Sequence, residues 1–189
     1  MQQMGPIIFG YGSLLWDYSL PYVIRRTPVV LHDFRRSLCF LSWSYRGTRE
    51  KPGLILGLDA HQGSSCAGQA LHIAAADEEA ALQHFDEREQ INGVYRRQLV
   101  TLEQPDGQTL QAHAYISRRD HPQYCGDTLS TAMAAEIVAS GVGTRGTALE
   151  YLANTVEALR TAEVRDPALE RVLAAATEVA RQKEDEKLS

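Results

Sequence analysis

Between Ile7 and about Ile116 the apolar residues come in short runs rich in Val, Ile, Leu and aromatics, separated by Gly, Pro, Asp and Asn. Turn residues at this spacing punctuate strands rather than helices. The pattern predicts strands at Ile7–Phe9, Val29–Phe40, Leu54–Leu58, Gln69–Ile73, Tyr95–Leu102 and Gln111–Ile116. The last two are joined by Glu103-Gln104-Pro105-Asp106-Gly107. Proline presets φ and Asp-Gly accepts the left-handed region, so this pair reads as a hairpin. One helix interrupts the strands, with Asp77 at its N-cap, Glu78 and Glu79 in its first turn, and its end near Gly93. Beyond Tyr124 the spacing becomes helical over Thr128–Ser140, Thr147–Ala162 and Pro167–Glu186, the last opened by Asp166 as cap and Pro167 at the first helical position. Strands with an inserted helix, followed by a helical C-terminal third, predict an α+β fold. The sheet is expected to be small, mixed or antiparallel, and closed into a barrel. One domain is expected over residues 1–189, with its C-terminal helix at about 166–187.

Composition narrows the function classes. The 189 residues, 44% hydrophobic and 23% charged, match an ordinary globular chain able to bury a core. The net charge of -5 comes from acidic residues spread along the chain, and Arg35-Arg36, Arg96-Arg97 and Arg118-Arg119 are isolated pairs that read as solvated. No basic surface is available to collect a phosphate backbone, so nucleic acid is not an expected partner. Cys39, Cys66 and Cys125 form an odd set without CxxC spacing, which argues against a disulfide framework or zinc ribbon and suits a reducing compartment. The amino terminus lacks a charged leader region, and no apolar run approaches the ~18 residues that span a bilayer. A cytoplasmic protein with no membrane partner is expected.

Several common chemistries have no motif here. The six histidines show no HExxH or other metal spacing. No GxSxG elbow occurs, no Walker-type phosphate loop occurs, and no cysteine stands in a context that marks a nucleophile. What remains are four polar segments. Gly10-Tyr11-Gly12-Ser13-Leu14-Leu15 follows the apolar strand Ile7–Phe9 directly. It lacks the third glycine of a dinucleotide loop, where Leu15 stands. Its glycines let successive backbone N–H groups converge on an anion such as a carboxylate, with the Ser13 hydroxyl adding a donor and acceptor. The same residues also read as a plain tight turn that needs positive φ.

The second segment is Phe85-Asp86-Glu87-Arg88-Glu89-Gln90, at the end of the inserted helix. At ~100° per residue, Ala81, Leu82, Phe85 and Glu89 share one stripe and Glu87 points nearly opposite. A carboxylate on an apolar stripe costs free energy unless paired or used, and desolvation raises its pKa toward the range of acid–base catalysis. Glu89 is therefore the candidate general base. The alternative is a helix-end carboxylate that caps, pairs with Arg88 or Arg96, or reaches solvent. In Tyr45-Arg46-Gly47-Thr48-Arg49-Glu50-Lys51-Pro52-Gly53 the loop length suits a pocket wall, with Arg46 able to pair with a substrate carboxylate or to lie on the surface. The fourth is His121-Pro122-Gln123-Tyr124-Cys125-Gly126, where a proline-fixed turn precedes Tyr124, whose hydroxyl can reach a ligand or serve packing.

Taken in order, Phe9-Gly10-Tyr11-Gly12-Ser13-Leu14-Leu15-Trp16, Arg46 to Gly53, Arg88-Glu89 with Gly93-Val94-Tyr95-Arg96, and His121 to Gly126 resemble the γ-glutamylcyclotransferases of the ChaC-like family. The similarity runs from about Ile7 to Arg160 and includes Glu150-Tyr151-Leu152. The resemblance implies a small barrel flanked by helices and a lyase that cleaves glutathione into 5-oxoproline and cysteinylglycine without a cofactor. It implies that Tyr11, Gly12, Ser13 and Leu14 hold the γ-glutamyl head, that Glu89 is the acid–base residue, and that Tyr124 matches the family's motif tyrosine. Arg46 is expected to bind the substrate on its own chemistry, through a carboxylate. The chain departs from the usual pattern at Gln90, where lysine is common, at Leu54, where arginine is common, and at Cys125-Gly126-Asp127-Thr128, which replaces Leu-Gly-Pro-Ala. These departures bear on which γ-glutamyl compound is preferred, so another γ-glutamyl amide stays open as the substrate. So does a non-catalytic barrel that binds an acidic metabolite.

Overall fold

A computed structural model describes residues 4–90, 92–126 and 128–187. Asp127, one of the departures from the family pattern, lies outside the described residues. Among the described residues, strands β1 (Met4–Gly10), β2 (Val23–Ser42), β3 (Gly53–Ala74), β4 (Tyr95–Glu103) and β5 (Thr109–Ser117) form a closed barrel in the order β1-β3-β2-β4-β5. β1 runs antiparallel to β3 and parallel to β5, with Ile8 opposite His113, so the barrel is mixed. The hairpin between β4 and β5 is the expected one: Gly107 has φ +81° and its N–H donates to Gln104 O at 2.9 Å.

The chain forms two compact units, one of residues 1–36 and 57–121 and one of 37–56 and 122–189. The apolar core of the first lies inside the barrel. Alternate residues of its strands, Phe9, Val29, Leu31, Leu58, Ala70, Val100, Leu102, Ala112, Ala114 and Ile116, point inward and are buried. Small alanines sit among large side chains, as a narrow barrel requires.

The expected strand Val29–Phe40 is the centre of the longer β2, and Leu54–Leu58 and Gln69–Ile73 are the two ends of a single strand of 22 residues. Between those ends β3 is exposed from Ala60 to Gly63. A ladder of backbone hydrogen bonds carries the strand there without burying side chains, so no hydrophobic period marks it. Asp33 (φ 60°) and Gly63 (φ 78°) both adopt the left-handed region, and the Gly63 N–H donates to Asp33 Oδ1 at 2.9 Å.

The inserted helix α1 is Glu78–Glu89, shorter than the expected end near Gly93. Asp77 precedes it as cap by position but makes no side-chain cap bond. After Glu89 the chain turns, with Gly93 N donating to Gln90 O at 2.8 Å and Gly93 at φ +68°.

In the second unit α2 is Thr131–Ser140, α3 is Ala148–Thr161 and α4 is Pro167–Lys187. α2 starts three residues later than Thr128 because Ser130 is the cap, its side chain accepting from Met133 N at 3.2 Å. Thr128 instead donates its hydroxyl to Cys125 O at 2.7 Å. Asp166 caps α4 as expected, accepting from Leu169 N at 3.2 Å. A hairpin of β6 (Val142–Gly143) and β7 (Gly146–Thr147) leads into α3, whose buried face of Tyr151, Leu152, Val156 and Leu159 follows helical spacing. α2 packs on α4. Replacing Ser130 by alanine removes the α2 cap, and the expected result is a loss of about 1 kcal/mol, read as a lower urea midpoint at unchanged slope. Among the described residues no helix is long and apolar enough to cross a membrane.

Candidate active site

β1 delivers the glycine-rich segment to the rim of the barrel. Gly10 is the last paired residue, opposite Gln69 of β3. Tyr11 turns its ring into the barrel core, where its hydroxyl donates to Tyr115 O at 2.8 Å. Arg36 Nε donates to Tyr11 O at 2.5 Å. Ser13–Leu15 then form one 3-10 turn, closed by Leu15 N donating to Gly12 O at 2.9 Å. As in any helix start, the first N–H groups of this turn have no acceptor in the turn itself. Among the described residues the N–H groups of Gly12, Ser13 and Leu14 donate to no atom of the chain.

The reading of this segment as a turn needing positive φ is corrected. Gly12 has φ −126°, and neither Gly10 nor Gly12 is among the glycines with positive φ. Space is what Gly10 supplies: a Cβ there would stand 3.1 Å from Leu14 Cβ. Gly68, next to Gln69 on β3, is tighter, since its Cβ would stand 2.4 Å from Gly10 O.

Two arginines hold the segment from Ser13 onward. Arg26 donates to Leu14 O at 2.6 Å, to Asp17 O at 2.7 Å and to Gln69 Oε1 at 3.2 Å. Arg88 of α1 reaches three side chains with three different nitrogens. Nη2 donates to Ser13 Oγ at 3.1 Å, Nη1 to Asp17 Oδ2 at 2.8 Å and Nε to Glu89 Oε1 at 2.9 Å. The Arg88 and Glu89 side chains are only 13% and 15% exposed. A guanidinium presents its donors in a fixed fork, so the three acceptors are held in fixed relative positions.

α1 carries Glu89 to this place by the stripe its spacing implies: Ala81 and Phe85 are fully buried beneath it. Its last turn is tied to the barrel wall through Asp86. Asp86 accepts from Tyr115 OH of β5 at 2.9 Å and from Gln90 Nε2 at 2.8 Å, and pairs with Arg97 of β4 at 3.0 Å. Burial, the bond to Asp86 and the negative charges of Asp86 and Glu89 push the Tyr115 phenol far above its ordinary range. Tyr115 is therefore a neutral donor at every physiological pH.

Of the seven residues that the sequence singled out, Tyr11, Gly12, Ser13, Leu14 and Glu89 fall together in the first unit, with Arg88 as the link. Glu89 pairs with Arg88, one of the alternatives open from sequence. Arg46 and Tyr124 fall in the second unit. Arg46 lies in the loop between β2 and β3, its N–H donating to Ser42 Oγ at 3.0 Å. Its Nη1 donates to the carbonyls of Arg145 and Thr147, and its guanidinium lies 5.3 Å from the Tyr151 ring centre. The loop is pinched where a Cβ on Gly47 would stand 2.0 Å from Gly53 N, so both glycines are needed for the close approach. Tyr124 forms a β-bridge with Phe40, and their rings meet edge to face at 5.3 Å. Leu54, another departure from the family pattern, is fully buried.

Asp17, Arg26, Arg88, Asp86 and Tyr115 were not assigned roles from sequence, and Arg36, read there as one of a solvated pair, instead donates to Tyr11 O and Ala67 O. Arg88 carried the only usable signal, its place beside Glu89. The others are brought in by strand register and by chain separations such as the 71 residues between Asp17 and Arg88.

The sequence model of the ChaC-like protein family matches residues 7–179. The glutathione-specific gamma-glutamylcyclotransferase of Escherichia coli K12 is 31% identical over 170 residues, covering 89% of this chain and 72% of that protein. The glutathione-specific gamma-glutamylcyclotransferase 1 of Danio rerio is 30% identical over 176 residues, 89% of this chain and 87% of its own. Among solved structures, the yeast gamma-glutamyl cyclotransferase specific to glutathione superposes with a TM-score of 0.83 at 20% identity, covering 93% of this chain and 97% of that one, a likeness of fold. A motif series in register with a matched barrel and this extent of identity leads to one assignment: the chain belongs to the ChaC-like protein family.

Proposed function

We propose that the protein is a γ-glutamylcyclotransferase, a lyase that cleaves glutathione into 5-oxoproline and cysteinylglycine. The observation that carries this reading is the shared guanidinium of Arg88, which joins the Ser13 hydroxyl of the substrate-binding turn to the Glu89 carboxylate. Relatives with glutathione-specific cyclotransferase names cover most of the chain and support the substrate.

The chemistry follows from these groups. The α-carboxylate of the γ-glutamyl head is a suitable acceptor for the N–H groups of Gly12, Ser13 and Leu14. Ser13 Oγ already accepts from Arg88, so its single proton is the part left to donate to that carboxylate. Glu89, ionised beside Arg88, removes a proton from the α-amine. The amine nitrogen attacks the γ-carbonyl carbon and closes the five-membered lactam. The bond to the cysteinyl nitrogen then breaks as the proton held by Glu89 passes to that nitrogen. One carboxylate serves both transfers, and intramolecular attack supplies much of the acceleration once the turn has folded the chain.

The substrate role of Tyr124 rests on its motif, and that of Arg46 on the fit of a guanidinium to a carboxylate. A reducing, cytoplasmic setting suits a thiol substrate and a chain with an odd number of cysteines.

Incubation with glutathione is expected to release 5-oxoproline and cysteinylglycine in equal amounts, identified by mass spectrometry. A panel with γ-glutamyl-alanine and a γ-glutamyl amine tests the substrate. Equal or faster turnover of those compounds replaces glutathione as the substrate, and absence of 5-oxoproline from every compound overturns the enzymatic reading.

A further inference from the structure

Arg88 is a largely buried cation with two carboxylates on it, and the proposed mechanism uses only one. Asp17 Oδ2 takes the shortest of the three Arg88 bonds, at 2.8 Å. The position of Asp17 is fixed from several sides. Its Oδ1 accepts from Ser19 N at 3.1 Å and from Ser19 Oγ at 2.6 Å, and its N–H donates to Ser13 O at 3.0 Å. Burial alone would raise its pKa, but the bonds from Ser19 and Arg88, with the Arg88 charge, hold it below the ordinary carboxylate value. Asp17 is an anion wherever the enzyme works near neutrality.

We propose that Asp17 is a positioning residue that sets the proton affinity of Glu89 through the guanidinium the two carboxylates share. The proposal rests on the reading of Glu89 as the acid–base group. Its physical basis is charge balance. Before proton transfer Arg88 shares its single positive charge between Asp17 and Glu89. When Glu89 takes the amine proton, Arg88 and Asp17 remain as a neutral, hydrogen-bonded pair. Without Asp17 the same step leaves Arg88 as an uncompensated cation that is only 13% exposed, and removing one partner of a buried pair is costly. An Arg88 charge undivided by Asp17 favours the ionised form of Glu89 and makes it a weaker base. With Asp17 neutralising Arg88, Glu89 can take up and release the proton within one turnover.

The other charged groups around the cluster do not substitute for Asp17. On α1, Asp86 is committed to Tyr115, Gln90 and Arg97. On β4, Arg97 faces Asp86. On β5, Tyr115 is neutral and bears on Glu89 as a dipole. On β2, Arg26 adds positive charge near Asp17, through the Asp17 carbonyl. Asp17 is the carboxylate that reaches the Arg88 fork from outside α1.

The test is Asp17→Asn, which keeps the shape and an oxygen for Arg88 and removes only the charge. The sign is fixed: losing a negative charge near Glu89, and freeing Arg88 to act on it undivided, both favour ionised Glu89. The acid limb of the pH profile of kcat/KM is expected to move down by about one pH unit. The plateau kcat falls about tenfold, as expected for a weaker base. Asp17→Ser, smaller and also uncharged, gives the same shift and serves if the asparagine variant does not fold. Asp17→Glu, which keeps the charge, leaves the limb closer to that of the parent protein.

NMR titration of carbon-labelled glutamate carboxyls, with the Glu89 signal assigned by its loss in Glu89→Gln, reads the same shift without activity. An unmoved limb and an unmoved Glu89 titration, with kcat reduced, make Asp17 a clamp on the turn and overturn the proposal. Full activity in Glu89→Gln would overturn the acid–base reading itself, a different result from either.

Discussion

Glu89→Gln is expected to lower the rate of 5-oxoproline formation by about two to four orders of magnitude, the range spanned by a single acid–base group. The upper end is favoured because one carboxylate makes both proton transfers, so both the attack and the departure of the amine lose their partner. The substitution is nearly isosteric, and the amide oxygen can still accept from Arg88 Nε, now at 2.9 Å from Glu89 Oε1. Arg88 keeps Asp17 as counterion, so no bare buried cation is created. The fold therefore survives, and KM changes less than kcat because binding is assigned to the turn rather than to the carboxylate. Mass-spectrometric rates beside a circular dichroism melt decide the matter. More than about a tenth of the parent rate in a folded variant is incompatible with the role, given the usual contribution of such a group.

The second large effect is structural and falls on Gly68→Ala. Its new methyl would stand 2.4 Å from Gly10 O and 2.7 Å from a carbon of the Phe9 ring. Neither neighbour can give way. Gly10 is held in register with Gln69, and Phe9 is fully buried in the barrel. β1 must then separate from β3 at the residue from which the Tyr11–Leu14 turn departs. A loss of about 3 kcal/mol or more is expected, at the upper end of overpacking costs because one of the atoms met is backbone. For a chain of this size that lowers Tm by about 6–12 °C, and activity falls with it because the turn is displaced. Gly63→Ala, on the exposed middle of β3, is the comparison. Its Cβ meets nothing within 4 Å, and only its φ of +78° is unfavourable, so a cost of about 1 kcal/mol is expected. Equal losses at the two positions would show that conformational freedom, not space, explains Gly68.

Both effects bear on how much was legible beforehand. Glu89 stood out because a carboxylate on the stripe of Ala81 and Phe85 is a local irregularity, readable from a helical period of one segment. The β4–β5 hairpin was legible for the same reason, since Gly107 at φ +81° answers a local conformational demand. So was the start of α4, where Asp166 and Pro167 act within one turn. Gly68 carried no such mark. It is one of fourteen glycines, and only the close approach of β1 to β3 makes its missing side chain essential.

The amino-acid sequence by itself determined the element types, the barrel with a helical C-terminal third, the family, and the residues Tyr11 to Leu14 and Glu89 as the centre of interest. The element types and the interest of Glu89 rest on periodicity and turn chemistry, which act over a few residues. The family, the closed barrel and the role of Tyr11 to Leu14 rest on the resemblance of four motifs in order. Tertiary structure decided that β3 is one strand, because backbone pairing sustains it where no side chain is buried. It also decided that Arg88 joins Ser13, 75 residues away, to Asp17 and Glu89. A guanidinium has no period and its partners no fixed spacing. Only when the barrel closes and α1 docks through Asp86 on Tyr115 and Arg97 do the three acceptors come within reach of one fork of donors.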